Sequence, residues 1–216
     1  MNQITIRDVE ARDLPEIKAI IDEIWEFSDW FETEGAADTA LGIYFNQVLY
    51  GNSFGKAALL DGKVVGVIFG HVKGELPKYR MLQEDNTKYI MSLLNMHEDD
   101  RSIINEFISK MHYGYEELIA KKIDSYDGVL DFLIVSEKAQ GLKIGKKLWD
   151  ELAAYFRETK AKSIYVFTDT ECNFGFYDHL GFSRKGERDV TYIFGDEPDE
   201  QYDETIFLYD YQFGKG

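Results

Sequence analysis

The stretch VLDFLIVSEKAQGLKIGKKLWDELAAYF, Val129 to Phe156, changes its hydrophobic period halfway along. Val129 to Val135 is an apolar, β-branched run and reads as a buried strand. Ile144, Leu148, Leu152 and Tyr155, spaced four and three apart, mark one face of a helix. Between them lies a short loop with Gln140, Gly141, Lys143 and Gly145. A strand, a Gly-containing turn and a helix start together aim unpaired backbone N–H groups at one spot. That spot suits a phosphate, because a helix N-terminus carries roughly half a positive charge. Glycine lets an anion approach the bare backbone closely.

The loop is not a Walker P-loop, since no Gly-Lys-Ser/Thr follows its glycines, and it lacks the full dinucleotide Gly-x-Gly-x-x-Gly. It resembles motif A of the GCN5-related N-acetyltransferases, the GNAT superfamily, whose pattern is Gln/Arg-x-x-Gly-x-Gly/Ala. Gln140, Gly141, Leu142, Lys143, Ile144 and Gly145 fill the six places, with Val135 five residues before Gln140. The departure is Lys143, which stands where the first motif glycine is expected. Further on, CNFGFYDHLGF, Cys172 to Phe182, resembles motif B, in which a short helix carries a Tyr and ends in Gly-Phe. Here these are Tyr177, Gly181 and Phe182. The family's Asn, seven residues before that Tyr, is replaced by Thr170, and Asn173 comes only four before.

The resemblance implies an α/β (α+β) fold. Its mixed central sheet of about seven strands is flanked by helices and splayed between strands four and five. It also implies an acetyl-CoA-dependent N-acetyltransferase that passes the acetyl group directly to a primary amine. In such an enzyme the edge at Leu133, Ile134 and Val135 pairs with the pantetheine amides of acetyl-CoA. The loop from Gln140 through Lys146 holds the pyrophosphate, and Asn173 is a further CoA contact. Tyr177 is the candidate acid that protonates the leaving sulfur.

The base is open. Asp131 sits in an otherwise apolar strand, where an ionised carboxylate is costly unless paired or hydrated. By the two-residue strand period it shares a face with Leu133 and Val135. It serves either as the base or as the structural partner of a Lys or Arg. Asp169 and Glu171 are alternatives, and an amine arriving neutral needs no base. Cys172 is read as a structural thiol more readily than as a nucleophile, since direct transfer needs none. His71 is read as a polar residue near a strand end.

The remaining chain fits around this centre. Ile4 and Ile6 suggest a first strand, and the opening IRDVEARDLPEI is typical of how the family starts. Asp13 is expected to cap a helix with Leu14, Ile17, Ile21 and Ile24 inward, with Glu16 completing a near capping box. Asp38 is expected to cap a second, bearing Leu41, Phe45, Val48 and Leu49. In the family these helices border the acceptor site, and most of Trp25, Phe27, Trp30, Phe31 and Tyr44 are assigned to core. Asp61-Gly62 is a hairpin turn between strands at about 54–60 and 64–72. Residues 74–128 depart from the family, which has a short turn there. Tyr89, Ile90, Leu93 and Leu94 suggest one helix. Ile103, Ile104, Phe107, Ile108 and Met111 suggest a second, continued by Tyr115, Leu118, Ile119 and Ile123 beyond a break or kink at Gly114. This helical insert is a lid over the acceptor cleft, a homodimer surface, or plain packing. Ser163 to Thr168 is the fifth strand. Arg188 to Gly195 and Glu204 to Phe213 form a last hairpin around the acidic loop Asp196 to Asp203. Residues 1–216 are read as one domain.

Composition narrows the function classes. A net charge of −16 over 216 residues repels nucleic acid. It either keeps the protein soluble or draws cationic small molecules and basic peptides. No apolar run is long enough for a membrane span. The N-terminal sequence lacks the features of a signal peptide, and one cysteine excludes an internal disulfide, so a cytoplasmic setting is expected. No metal is expected, because His97, His112 and the neighbouring acids lack ligand spacing. The competing readings are a CoA-binding regulatory domain without turnover and an interaction protein dominated by the insert.

Overall fold

The computed structural model describes residues 3–193 and 201–214, with the side chains of 110–112 left aside. Residues 194 and 195 of the expected strand, residues 196–200 of the expected acidic loop, and the Met111 and His112 side chains therefore lie outside the described residues.

Seven strands form one sheet: β1 (Ile4–Asp8), β2 (Phe54–Leu60), β3 (Lys63–Val72), β4 (Gly128–Val135), β5 (Ser163–Asp169), β6 (Ser183–Ile193) and β7 (Gln201–Gln212). Their order is β1-β2-β3-β4-β5-β7-β6. The Asp61-Gly62 turn joins β2 to β3 with both residues at positive φ, 50° and 87°, as a two-residue hairpin requires. Only β4 and β5 run parallel. The helices are α1 (Leu14–Trp25), α2 (Ala36–Gly51), α3 (Asn86–Asn95), α4 (Glu98–Ile119), α5 (Ile144–Glu158) and α6 (Gly175–Leu180).

Two apolar layers sandwich the sheet. On one face α1 and α2 pack Ile17, Ile21, Phe45 and Leu49 against Val67, Phe69, Phe132 and Ile134. On the other, α5 packs Ile144, Leu148, Leu152 and Phe156 against Ile68, Leu130 and Ile164. Alternation along β3 and β4 divides their side chains between the layers. Helix α4 lies on the first face and spans it. Its leading half packs Ile104, Phe107 and Ile108 beside α1 and α2. Its trailing half sets Tyr115, Leu118 and Ile119 on β6, β7 and β5.

Several local expectations are corrected. Asp13 does not cap α1; its carboxylate faces backward, accepting from the Glu10 N–H at 2.8 Å and from Arg7 at 2.7 Å. Glu16 instead accepts from the Val64 N–H at 2.6 Å. Helix α2 starts before Asp38, behind Gly35 at φ 82°, and Asp38 pairs with Lys18. Gly114 does not break α4, which runs on to Ile119. A Cβ there would come within 2.7 Å of Ile206 Cδ1, so the glycine lets α4 press closely on β7. Helix α4 ends at Ile119, and Ile123 is exposed beyond it. Strand β6 begins at Ser183, five residues before the alternation becomes visible. It is a sheet edge with mostly exposed side chains, so its first half carries no apolar signal.

Candidate active site

The parallel strands β4 and β5 pair only at their beginnings, Gly128 with Ile164 and Val129 with Tyr165. Beyond Val129 they part. β4 stays bound to β3 on its other edge as far as Val135, so beyond Val129 the edge toward β5 is unpaired. This is the splay expected of strands four and five. Gly128 anchors the hinge, because a Cβ there would meet the His71 carbonyl oxygen at 2.6 Å and Phe156 at 2.8 Å.

The 140s loop stands at the far end of that gap. Ser136 starts a short turn that ends at Gln140. Glu23 on α1 ties the turn down: its carboxylate accepts from Ser136 Oγ at 2.9 Å, the Glu137 N–H at 3.2 Å and Lys138 Nζ at 2.9 Å. The chain then enters α5 through two left-handed residues, Gly141 at φ 79° and Lys143 at φ 56°. Lys143 thus adopts the conformation for which glycine is the usual choice. No side chain caps α5. Among the described residues, the backbone N–H groups of Gly141, Lys143, Ile144, Gly145 and Lys146 have no protein acceptor. Several donors and the positive end of a helix therefore meet at one place, which fits a phosphate.

The other expected contacts distribute around this cradle. Leu133, Val135 and Leu142 are half-buried on the α5 side. The Ile134 side chain lies in the opposite layer, so only its backbone reaches the open edge. Ile144 is buried and holds the loop down, while Gly145 faces Phe176 and Val135. Gln140, Gly141, Lys143 and Lys146 are exposed, and the Lys146 ammonium pairs with Asp150. Asn173 is exposed just before α6, where its carbonyl accepts from the Phe176 N–H at 3.0 Å.

Asp131 is turned over relative to the sequence reading. The β3–β4 ladder pairs Phe69 with Phe132 and Gly70 with Leu130, leaving Asp131 out as a bulge. A bulge shifts the side-chain alternation by one residue. Asp131 therefore joins Phe132 on the α2 face instead of sharing the face of Leu133 and Val135. Asn52, at the end of α2, donates from Nδ2 to Asp131 at 2.6 Å and to the Val48 carbonyl at 2.7 Å. Among the described residues no Lys or Arg pairs with Asp131. The residue is open to solvent yet its carboxylate has protein packed around it, and that desolvation raises its pKa. His71 is half-buried nearby, its pKa lowered by burial, with Nδ1 enclosed and unpartnered.

Tyr177 has its ring buried among Phe182, Tyr209 and Phe176. Its hydroxyl makes no hydrogen bond among the described residues and is not sealed in. Burial raises the phenol's pKa, with Cys172 and Asp169 adding to the effect. At neutral pH it holds its proton. Burial and then Asp169 push the Cys172 thiol up to about 12, which leaves it a poor nucleophile. Asp169 Oδ1 accepts from the Glu171 and Cys172 N–H groups at 3.0 and 2.9 Å.

Sequence reading missed Glu204. It is half-buried on β7, and its carboxylate accepts from Tyr192 Oη at 2.6 Å. Burial raises its pKa to about 7, with Asp169 and Glu171 contributing. Its spacing from Ile206 and Leu208 on one strand face was the available signal.

A sheet parted between its two parallel strands, with a helix mouth beside the gap, defines the acetyltransferase class of α/β proteins. The match to the acetyltransferase (GNAT) family extends over residues 17–182, and the chain belongs to that family. No curated protein matches it. Solved structures share the fold at low identity. An apo agmatine N-acetyltransferase is 14% identical, with a TM-score of 0.54 over 97% of this chain and 99% of that one. The ribosomal-protein-alanine N-acetyltransferase of Brucella melitensis is 17% identical, with a TM-score of 0.52 over 97% and 99%. The PaiA N-acetyltransferase of Thermoplasma acidophilum, solved with coenzyme A, is 13% identical, with a TM-score of 0.50 over 98% and 99%. Among the described residues no helix is long and apolar enough to cross a membrane.

Proposed function

We propose that the chain is an acetyl-CoA-dependent N-acetyltransferase that acts on a small or peptide primary amine, working as one catalytic unit in the cytoplasm. The observation that carries this is the parting of β4 from β5 after Val129, beside a helix start with unpaired N–H groups. An open strand edge accepts an extended, amide-containing chain as an added strand. The cradle at Gly141 to Lys146 accepts a pyrophosphate. The PaiA structure solved with coenzyme A supports the same ligand here.

In this reading the residues of the chain act mainly by placement. The edge of β4 and the α5 mouth fix the thioester, and the α1, α2 and α4 side admits the amine. Holding both reactants in attack geometry supplies much of the rate. The attacking nitrogen bonds to the acyl carbon, and the thiolate leaves. The nitrogen's surplus proton passes to Asp131, directly or through water, since that carboxylate has solvent contact and no cationic partner. Tyr177 donates a hydrogen bond to the departing sulfur. Its raised pKa makes it a donor to the thiolate more than a source of a fully transferred proton.

The test is thiol release from acetyl-CoA with a panel of amines, together with melting curves in acetyl-CoA and CoA. Selective binding to the native state raises the melting temperature. A shift with CoA and amine-dependent thiol release support the reading. A shift without release by any amine makes the chain a silent CoA-binding domain, and neither effect removes CoA from the site.

A further inference from the structure

Several recessed carboxylates elsewhere in the protein are matched by cations, while Asp100 accepts from the backbone N–H groups of Glu32 and Thr33 instead. Asp13 pairs with Arg7, Glu84 with Lys18 and Lys88, Glu23 with Lys138, and Asp210 with Lys185. Asp131, Asp169 and Glu204 have no such partner among the described residues. All three lie on the sheet face that carries α4. Asp131 is on β4, Asp169 ends β5 beyond Phe167, and Glu204 precedes Ile206 and Leu208 on β7. They stand on both sides of the gap, and unpaired negative charge in a recess is costly.

Helix α4 bridges that gap. Phe107 meets Trp25 edge-on and Tyr44 at a tilt, and Tyr44 in turn meets Phe132 of β4 edge-on. Eight residues on, about 12 Å along a helix, Tyr115 stacks on Phe167 of β5 with ring centroids 4.3 Å apart. Aromatic walls thus stand between the acidic poles. Aromatic faces attract cations and accommodate methylene chains.

One buried polar atom calls for a ligand independently of the charges. Asn52 is 1% exposed; its nitrogen donates to Asp131, while its Oδ1 is buried without a donor. At the other pole the Tyr177 ring is buried while its hydroxyl stays open, and Asp169 and Cys172 act on it electrostatically. One pole lacks a donor, which an ammonium supplies.

Resting on the acetyl-transfer reading, we propose that the acceptor is a linear aliphatic dication. Its reacting amine lies at Asp131 and its distal cation between Glu204 and Asp169, under α4. Glu204 is then the residue that selects for a second charge, and the insert helix is a wall of the acceptor site. One amine, deprotonated for attack, forms the new amide at the expense of the thioester bond; the distal nitrogen keeps its proton and takes no part in the chemistry.

The experiment compares α,ω-diamines of four to six carbons with n-alkylamines of equal length. Binding is measured calorimetrically on the CoA-loaded protein, and transfer by thiol release from acetyl-CoA. Wild type is set beside Glu204→Gln and the charge-keeping Glu204→Asp, with the melting shift in CoA as the control for folding. The expected result is a diamine preference of about tenfold or more, the scale of one recessed charge pair. It collapses in Glu204→Gln and is kept in part by Glu204→Asp. Equal binding of diamines and monoamines, or a preference that survives in Glu204→Gln, overturns the proposal even when acetyl transfer is observed. Diamine binding that depends on Glu204, without thiol release, upholds the dication site and defeats the transferase reading instead.

Discussion

Lys143 is the position where the motif and the backbone disagree, and replacing it with glycine separates two ways of holding a phosphate. The residue sits at φ 56°, ψ 32° as the cap of α5, without a side-chain hydrogen bond. A left-handed L-residue carries a penalty of roughly 1–2 kcal/mol. Glycine removes it but adds roughly 0.5–1 kcal/mol of unfolded-state entropy. The variant is therefore expected to be as stable as wild type or better, by up to about 1 kcal/mol in urea unfolding. For CoA, glycine keeps the N–H and removes one exposed ammonium, worth up to about 1 kcal/mol, or a few-fold in Kd. That few-fold loss shrinks as salt is raised, since an exposed charge is screened. Calorimetric titration of CoA at low and high salt reads both effects. A loss of thirty-fold or more that persists at high salt refutes the claim that main-chain groups grip the anion. A destabilised Lys143→Gly refutes the strain assignment.

Three further outcomes follow from the same geometry. Tyr177→Phe lowers kcat by about a hundredfold, within the range for a lost hydrogen-bond donor to developing charge, and leaves the CoA Kd within about threefold; equal rates in thiol release remove Tyr177 from the mechanism. Glu204 is an acid whose pKa rises from 4.5 to about 7 on folding, so the native state holds its proton more tightly than the unfolded chain. Its contribution is present in full below pH 4.5 and is lost as pH rises through about 7. The groups facing it are Tyr192, Asp169, Glu171, Tyr115 and Tyr202; melting curves of Glu204→Gln and wild type should diverge across that window, and parallel curves contradict the assignment. Gly128→Ala drives a Cβ into the His71 carbonyl and Phe156 and costs at least about 1–3 kcal/mol, the usual range for overpacking; an unchanged urea midpoint would show that the hinge tolerates a side chain.

Much of this fold could be read from local pattern. The β-branched run ending at Val135, the stripe from Ile144 to Tyr155 and the Asp61-Gly62 turn each carry their own period or turn chemistry, and each element formed where expected. What stayed hidden depends on partners distant in sequence. The bulge that turns Asp131 toward Asn52 exists only in the pairing of β4 with β3. Gly114 looks like a helix breaker until Ile206 is placed against it. Asp13 looks like a cap until Arg7 claims its carboxylate. Glu204 was one acid among 40 acidic residues, and only the packing of β5, β6, β7 and α4 shows that it has no cationic partner among the described residues. Motif residues around 140 and 177 were legible because their chemistry is local; the acceptor side was not, because helices and strands far apart in the chain build it.

Amide hydrogen exchange with and without acetyl-CoA tests the binding wedge most directly. Addition of the thioester is expected to slow exchange along the free edge of β4, within 130–135, and at the N–H groups of Gly141 through Lys146. The β1–β2–β3 half of the sheet should stay unchanged. Protection confined to other segments, or none at saturating ligand, would contradict a CoA site between β4 and β5.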